Sequence, residues 1–179
     1  MQAFLIGPSN VGKSTYAKYA EGFFSNCRHY NLDALVSKRQ QTASVGEVSE
    51  SIGNDGFLRL CQEETEQYTL ECESENHLCL FDVGAGAMQS HKVGGWMESL
   101  YKVAITCSRE KLYLRWPSRG EAHPLSEYER IEFTQRQGKI YDSANIKLDV
   151  TELDEDASKE EFVKLLKQSF PFLVRRTNS

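Results

Sequence analysis

The sequence has 179 residues, of which 40% are hydrophobic and 26% are charged, and its formal net charge is −5. This composition is typical of a globular chain with an apolar core, and the length favours one domain over residues 1–179. An acidic chain without a basic stripe argues against nucleic acid as a partner, and no apolar run approaches the ~18 residues of a membrane span. The five cysteines are scattered, which favours reduced thiols in a cytoplasmic protein, and we expect a monomer or a weak dimer.

A glycine-rich loop directly follows the first apolar run. Residues 3–6 (AFLI) predict a buried strand, and residues 7–15 (GPSNVGKST), the phosphate loop, fit the pattern Gly-x-x-x-x-Gly-Lys-[Ser/Thr]. The glycines let backbone amides turn toward phosphate oxygens, the lysine supplies a mobile cation, and the serine hydroxyl is a ligand for Mg²⁺. The loop therefore predicts a site for a nucleotide with Mg²⁺. The residues expected to bind them are Gly7, Asn10, Val11, Gly12, Lys13, Ser14 and Thr15.

Strands and helices alternate along the rest of the chain. Apolar or alternating runs predict strands at residues 28–33, 77–82, 102–107 and 146–150. Helices are predicted after the phosphate loop, at 56–70, from Ser108 to about Trp116, and after a capping box at Ser158 to Glu161. Residues 37–52 are polar and predict a mobile loop or short helices. This alternation predicts an α/β fold with a mostly parallel sheet and with ligands at the carboxyl ends of its strands.

The order of these features resembles shikimate kinases, in the nucleoside-monophosphate-kinase-like group of P-loop kinases. Besides the phosphate loop, the resemblance rests on short segments spread over nearly the whole chain. They are Asn31-Leu32-Asp33, Gly53-Asn54-Asp55-Gly56-Phe57, Gly84-Ala85-Gly86, Ser108-Arg109-Glu110-Lys111-Leu112, His123-Pro124-Leu125, and Arg136 followed by Tyr141. The resemblance implies a three-layer P-loop NTPase fold with a mostly parallel five-stranded sheet, flanking helices and a lid at about 117–138. It also implies phosphoryl transfer from ATP to a small-molecule hydroxyl acceptor, bound by a region at about 33–70.

The acceptor region departs from the shikimate kinase pattern. Asn31 stands where the family has an Asp, and Leu58 where it has an Arg that binds the substrate carboxylate. Cys61 replaces a Glu, and His123 replaces a lid Arg. A bidentate Arg–carboxylate contact does not survive a change to Leu, so we expect an acceptor other than shikimate, with Arg59 as a substitute cation.

Two carboxylates follow predicted strands. We expect Asp33 to accept the proton of the acceptor hydroxyl, with a helix N-cap before Ala34 as the structural alternative. Asp82 is predicted to hold a magnesium-bound water, with a turn that caps Gly84 as the alternative. The glycine turn after Asp82 is expected to let backbone amides approach the acceptor, at Gly84, Ala85 and Gly86.

The basic residues of the lid supply the remaining candidates. Arg136 and then Arg119 are predicted to neutralise charge in the transition state, as lids do when they exclude water. Arg136 is also a candidate acceptor ligand. Arg115 and Trp116 each offer a flat face on which adenine can stack.

Other functions stay open at this point. A nucleotide-binding pseudokinase or regulatory module fits the departures at Asn31, Leu58 and Cys61. A GTPase switch is disfavoured because residues 82–85 (DVGA) lack the glycine of Asp-x-x-Gly and the sequence has no Asn-Lys-x-Asp. A nucleoside-monophosphate kinase needs acceptor-site arginines that the sequence does not clearly place.

Overall fold

The fold is known from a computed structural model that describes residues 1–84, 87, 97, 99–115, 125–130, 132–133 and 140–177. Within them, five strands form one sheet in the order β2-β3-β1-β4-β5, and each pair of neighbouring strands is parallel. The strands are β1 (Gln2–Ile6), β2 (Cys27–Asn31), β3 (Leu78–Asp82), β4 (Lys102–Thr106) and β5 (Ile146–Asp149). The predicted α/β fold with a mostly parallel five-stranded sheet is confirmed.

Helices follow the strands as the alternation predicted. They are α1 (Lys13–Phe23), α2 (Leu32–Gln40), α3 (Val45–Ser74), α4 (Arg109–Arg115), α5 (Leu125–Glu129) and α6 (Glu155–Ser169). Among the described residues, no helix has both the length and the apolar character needed to cross a bilayer.

Helix α3 begins well before the predicted residue 56. Ser44 caps its start, because the Ser44 hydroxyl accepts a hydrogen bond from the Glu47 backbone N–H (3.3 Å). The Glu47 carboxylate also accepts a hydrogen bond from the N–H of Ala43, the residue before the cap (3.2 Å). Gly53 then leaves helical geometry (φ 71°, ψ 170°), so two helical pieces meet there. The polar segment at 37–52 is therefore largely helical, which agrees with the second of its two predicted alternatives, short helices.

Helix α6 begins one turn earlier than the predicted capping box at Ser158. Asp154 caps it by accepting a hydrogen bond from the Ala157 N–H (2.8 Å). Ser158 is instead buried inside the first turn, where its hydroxyl donates to the Glu155 carbonyl and accepts from Tyr16. The prediction was wrong because two candidate caps lie four residues apart, and only packing against α1 decides between them.

Both faces of the sheet are covered, which gives the predicted three layers. Leu5 packs in a cluster with α1 and α6, whereas Phe4 and Ile6 pack in a second cluster with α2 and α3. Successive side chains of a strand point to opposite faces, so a central strand with helices on both sides must be apolar throughout. The register places Asp82 beside both Leu5 and Asn31, so the carboxyl ends of β1, β2 and β3 meet at one edge.

Candidate active site

The phosphate loop has a backbone shape that its residue types make possible. Gly7 has φ 155°, and a Cβ at this position would lie 2.3 Å from the Ile105 carbonyl oxygen of β4. Gly12, which precedes α1, has φ 101°, and Asn10 is left-handed at φ 66°. Glycine is the residue that adopts such angles most readily, and Asn tolerates the left-handed region better than most other residues. The loop therefore wraps the N-terminus of α1 as a phosphate cradle does.

Lys13 lies over this loop. Its ammonium group donates hydrogen bonds to the carbonyl oxygens of Gly7 (3.0 Å) and Pro8 (3.1 Å). The cation is thus held beside the backbone amides and is within reach of an anion in the cradle.

Asp82 gathers polar groups at the end of β3. It is 3% exposed, and its Oδ2 accepts hydrogen bonds from the Ser14 hydroxyl and from the Asn31 amide (3.1 Å). The other end of the Asn31 side chain accepts a bond from the Ala34 N–H (2.8 Å) and caps α2. The alternative capping role of Asp33 is therefore wrong: Asn31 takes it, and Asp33 lies inside the first turn.

Asp33 points at the glycine turn after β3. A Cβ on residue 84 would lie 1.8 Å from Asp33 Oδ2, so only glycine leaves room for this carboxylate. Asp33 Oδ1 is buried and has no hydrogen-bond partner among the described residues. Burial and then the charge of Asp82 raise the pKa of Asp33 to about 6, and Lys13 partly opposes the shift. A buried carboxylate without a donor is placed to receive a proton.

These groups line one cavity of about 230 Å³, which we call the Asp33 cavity. Its walls are the phosphate loop, the ends of β2 and β3 and the start of α2. The lining residues are Ser9, Asn10, Gly12, Lys13, Ser14, Thr15, Asn31, Asp33, Asp82 and Gly84. The structure thus brings together eight of the predicted site residues, which come from the phosphate loop, the start of α2 and the end of β3.

The donor set in this cavity fits Mg²⁺. Ser14 and Asp82 present a hydroxyl and a carboxylate side by side, and hard oxygen donors are what this ion prefers. Magnesium in nucleotide sites takes one or two protein ligands and completes its shell with phosphates and waters, so two oxygen donors are enough.

A second cavity of about 330 Å³, the Arg115 cavity, lies on the other side of the phosphate loop. It shares Asn10, Gly12 and Thr15 with the Asp33 cavity. The Arg115 guanidinium donates a hydrogen bond to the Val11 carbonyl (3.3 Å). The remaining wall is formed by the segment after β5 and the start of α6, with Val150, Leu153, Asp154, Glu155, Ser158 and Lys159. The two cavities therefore meet at the phosphate loop.

The comparisons with known proteins agree with this geometry. Residues 9–168 match the family described as shikimate kinase. The chain belongs to the shikimate kinase family. Enzymes of this family use ATP with Mg²⁺, in keeping with the phosphate loop and the Ser14–Asp82 pair. A comparison with curated proteins finds no significant match.

Solved structures with this fold come from distant sequences. Shikimate kinase from Bacteroides thetaiotaomicron aligns with a TM-score of 0.69 and 19% identity, covering 96% of this chain and 99% of its own. Shikimate kinase from Aquifex aeolicus aligns with a TM-score of 0.64 and 23% identity, covering 94% of this chain and 98% of its own. The Deinococcus radiodurans tunicamycin resistance protein aligns with a TM-score of 0.63 and 11% identity, covering 97% of both chains. At these identities the likeness concerns the fold, which is the P-loop kinase fold predicted.

Leu58, Arg59 and Cys61, three positions of the predicted acceptor region, lie on α3. Arg59 is exposed and does not line the Asp33 cavity, and the structure does not bring it to the other site residues. Leu58 is buried in the cluster that also contains Cys61. Burial, followed by the charges of Asp33 and Glu64, raises the pKa of Cys61 to about 12, so this thiol stays neutral. Neither Leu58 nor Cys61 thus offers a charge, and neither lines the Asp33 cavity.

Several predicted site residues lie outside the described residues. They are Ala85, Gly86, Trp116, Arg119, His123 and Arg136. The described part of the expected lid, residues 125–130 and 132–133, packs on α4. Tyr113 of α4 contacts Tyr128 and Phe133 edge to face (both 6.3 Å between centroids), and the Arg109 guanidinium lies 4.7 Å from the centre of the Phe133 ring.

Two residues of this segment reach the phosphate loop, although no sequence pattern predicted it. Tyr128 donates to the Ser9 carbonyl, and Glu132 accepts from the Ser9 hydroxyl. They are more than a hundred residues from Ser9 and belong to no spacing motif. Their contacts depend on how α4 and α5 dock on the sheet.

Proposed function

We propose that this protein transfers the γ-phosphate of ATP to a hydroxyl group of a small polar metabolite other than shikimate. The observation that carries the proposal is the single cavity that holds Lys13, Ser14, Asp82 and Asp33. Three of these groups suit a triphosphate with Mg²⁺, and the fourth is a carboxylate with an unpartnered oxygen among the described residues.

Each residue has a defined part in the proposed reaction. The loop amides and Lys13 bind the phosphates, and Ser14 and Asp82 hold Mg²⁺, which neutralises phosphate charge when bound. Asp33 orients the acceptor hydroxyl and takes its proton while the hydroxyl oxygen bonds to the γ-phosphorus and ADP leaves. Gly84 leaves space for that carboxylate, and the Arg115 cavity receives the nucleoside.

The acceptor is proposed to lack the carboxylate that shikimate carries. An arginine pairs with a carboxylate through two parallel hydrogen bonds, and Leu58 offers none. The proposed acceptor contacts also include Ala85, Gly86 and Arg136, with Arg119 and Arg136 acting in the transition state and Trp116 stacking near adenine. We also propose that the protein is a single cytoplasmic domain and that it is a monomer or a weak dimer.

An ATP-consumption screen tests the function. Purified protein is incubated with ATP, Mg²⁺ and one acceptor at a time, drawn from shikimate, polyols, sugars and nucleoside monophosphates, and ADP release is measured. We expect turnover with an uncharged polyol or sugar that is lost in Asp33→Asn, while Asp142→Asn, which changes an exposed carboxylate before β5, stays active.

A nucleotide-binding pseudokinase is the second candidate. It is favoured by the amide at Asn31, whose hydrogen bond to Asp82 Oδ2 occupies an oxygen that would otherwise face Mg²⁺. Tight binding of ATP with Mg²⁺ but no turnover with any acceptor would support this candidate over the kinase.

A further inference from the structure

A buried carboxylate contacts the phosphate loop. Glu132 is 2% exposed and accepts hydrogen bonds from the Ser9 hydroxyl (2.9 Å) and from the Tyr141 hydroxyl (3.0 Å). Each of its oxygens thus has a donor, which a buried carboxylate requires. One of those donors belongs to the phosphate loop, and the other belongs to the segment that leads into β5.

A second residue, on α5, holds the backbone of Ser9. Tyr128 is 3% exposed and its hydroxyl donates to the Ser9 carbonyl (3.0 Å). Burial and the charge of Glu132 raise the pKa of Tyr128, so the hydroxyl stays a donor. In a trans peptide the C=O and the next N–H point in opposite directions. A fixed Ser9 carbonyl therefore also fixes the direction of the Asn10 N–H, which points away from Tyr128.

The residue that these hydrogen bonds hold, Ser9, belongs to the wall of the proposed site. Ser9 lines the Asp33 cavity, and Asn10 lines both this cavity and the Arg115 cavity. The Glu132 bond fixes the direction of the Ser9 hydroxyl. The support is rigid, because Tyr128 and Phe133 are buried in the same apolar cluster as Val11 of the loop and Leu112 of α4.

We propose that Tyr128 and Glu132 are positioning residues that hold the phosphate loop in its nucleotide-binding shape before the nucleotide arrives. A loop that is already ordered loses less conformational entropy on binding, so removal of its supports weakens affinity without removal of any contact to the ligand. The inference rests on the proposed nucleotide site.

Nucleotide affinity in four variants tests this inference. Tyr128→Phe and Ser9→Ala each delete one hydroxyl, Glu132→Ala deletes the acceptor, and Glu132→Gln keeps its size and one acceptor oxygen. Calorimetric titration with ADP and Mg²⁺ is expected to show about 3- to 10-fold weaker binding for each of the first three, since each loses one hydrogen bond to the loop. Glu132→Gln is expected to lie closer to the wild type than Glu132→Ala.

A double variant and a distant control separate positioning from general stability. Ser9→Ala with Glu132→Ala is expected to bind within twofold of Glu132→Ala alone, because both changes remove the same bond. Thr69→Val deletes the hydrogen bond from Thr69 to Gln2 (2.6 Å) at the amino end of β1, far from the loop. It is expected to lower the melting temperature and to leave the ADP affinity unchanged.

The outcomes are distinguishable. Wild-type protein that fails to bind ADP would overturn the proposed nucleotide site itself. Wild-type binding together with Tyr128→Phe and Ser9→Ala affinities within twofold of it would overturn the positioning role. These two variants lose a single oxygen atom each, so the test stands even if Glu132→Ala does not fold.

Discussion

The Asp33 carboxylate lies against the backbone of Gly84, and a Cβ on residue 84 would come within 1.8 Å of its Oδ2. The first turn of α2 and the turn after β3 therefore fit each other only because residue 84 has no side chain. This contact holds the carboxylate beside Asp82 and Lys13 in the Asp33 cavity.

The contact predicts that Gly84→Ala displaces Asp33. The methyl group needs space that the carboxylate occupies, so α2 or the turn must shift. We expect phosphoryl transfer to fall at least about 100-fold, with the affinity for ADP and Mg²⁺ within about threefold of the wild type. Gly22→Ala, where a Cβ would meet nothing within 4 Å, is the matched control and is expected to be fully active. Equal activity of both variants would contradict the role of the contact.

Asp33 should weaken the nucleotide-free protein at neutral pH. The pKa of Asp33 is about 6 in the folded protein, above its ordinary value of 3.8. The favourable contribution of the protonated carboxyl to the free energy of unfolding is therefore complete below pH 3.8 and is lost as the pH rises through 6. Asp33→Asn is therefore expected to raise the free energy of unfolding by about 3 kcal/mol at pH 8, with little gain at pH 4. Denaturant unfolding at both pH values measures this difference. A variant that is less stable than the wild type at pH 8 would contradict it.

The same variant should lose phosphoryl transfer while it still binds ADP with Mg²⁺. An amide cannot accept the hydroxyl proton, and general-base catalysis contributes about 10²- to 10⁴-fold. In the wild type, activity is expected to decline as the pH falls through about 6, because the protonated carboxyl can no longer accept a proton. Persistent transfer by Asp33→Asn would place the base elsewhere.

Lys13→Ala should abolish nucleotide binding without unfolding the protein. The ammonium group is the loop's mobile cation, and it donates hydrogen bonds to two loop carbonyls. We expect ADP binding weakened beyond detection at about 1 mM and a melting temperature close to that of the wild type. Lys18→Ala changes an exposed lysine on the same helix and should bind normally. Unchanged binding in Lys13→Ala would overturn the assignment of the loop.

Shikimate should be a poor acceptor. Leu58 is buried at the position where the family pattern has the carboxylate-binding arginine, and a bidentate charged contact of this kind contributes several kcal/mol to recognition. Steady-state kinetics beside a shikimate kinase as the positive control is expected to show kcat/KM lower by at least about 1,000-fold. Efficient turnover would contradict this and would point to Arg59, in which case Arg59→Ala should remove it.

Short sequence patterns were sufficient to predict much of this fold. The phosphate loop, the apolar strands and the strand-end carboxylates are each encoded within about ten residues of sequence, which is the length of one strand and its turn. Parallel strands bring their carboxyl ends to one edge, so the meeting of Lys13, Asp33 and Asp82 follows from the order of the motifs along the chain. The Ser44 cap is equally local, but the polar composition of its segment is compatible with a loop as well as with short helices.

What the sequence alone determined is therefore the phosphate loop, the parallel sheet and the family to which the chain belongs. Only the tertiary structure decided that Asn31 caps α2 and leaves Asp33 to face Gly84, and that Tyr128 and Glu132 brace Ser9 across more than a hundred residues. The physical reason is the distance along the sequence over which each feature is determined. Backbone angles and hydrophobic periodicity are set by near neighbours, whereas side-chain contacts between distant segments depend on how whole helices dock on the sheet.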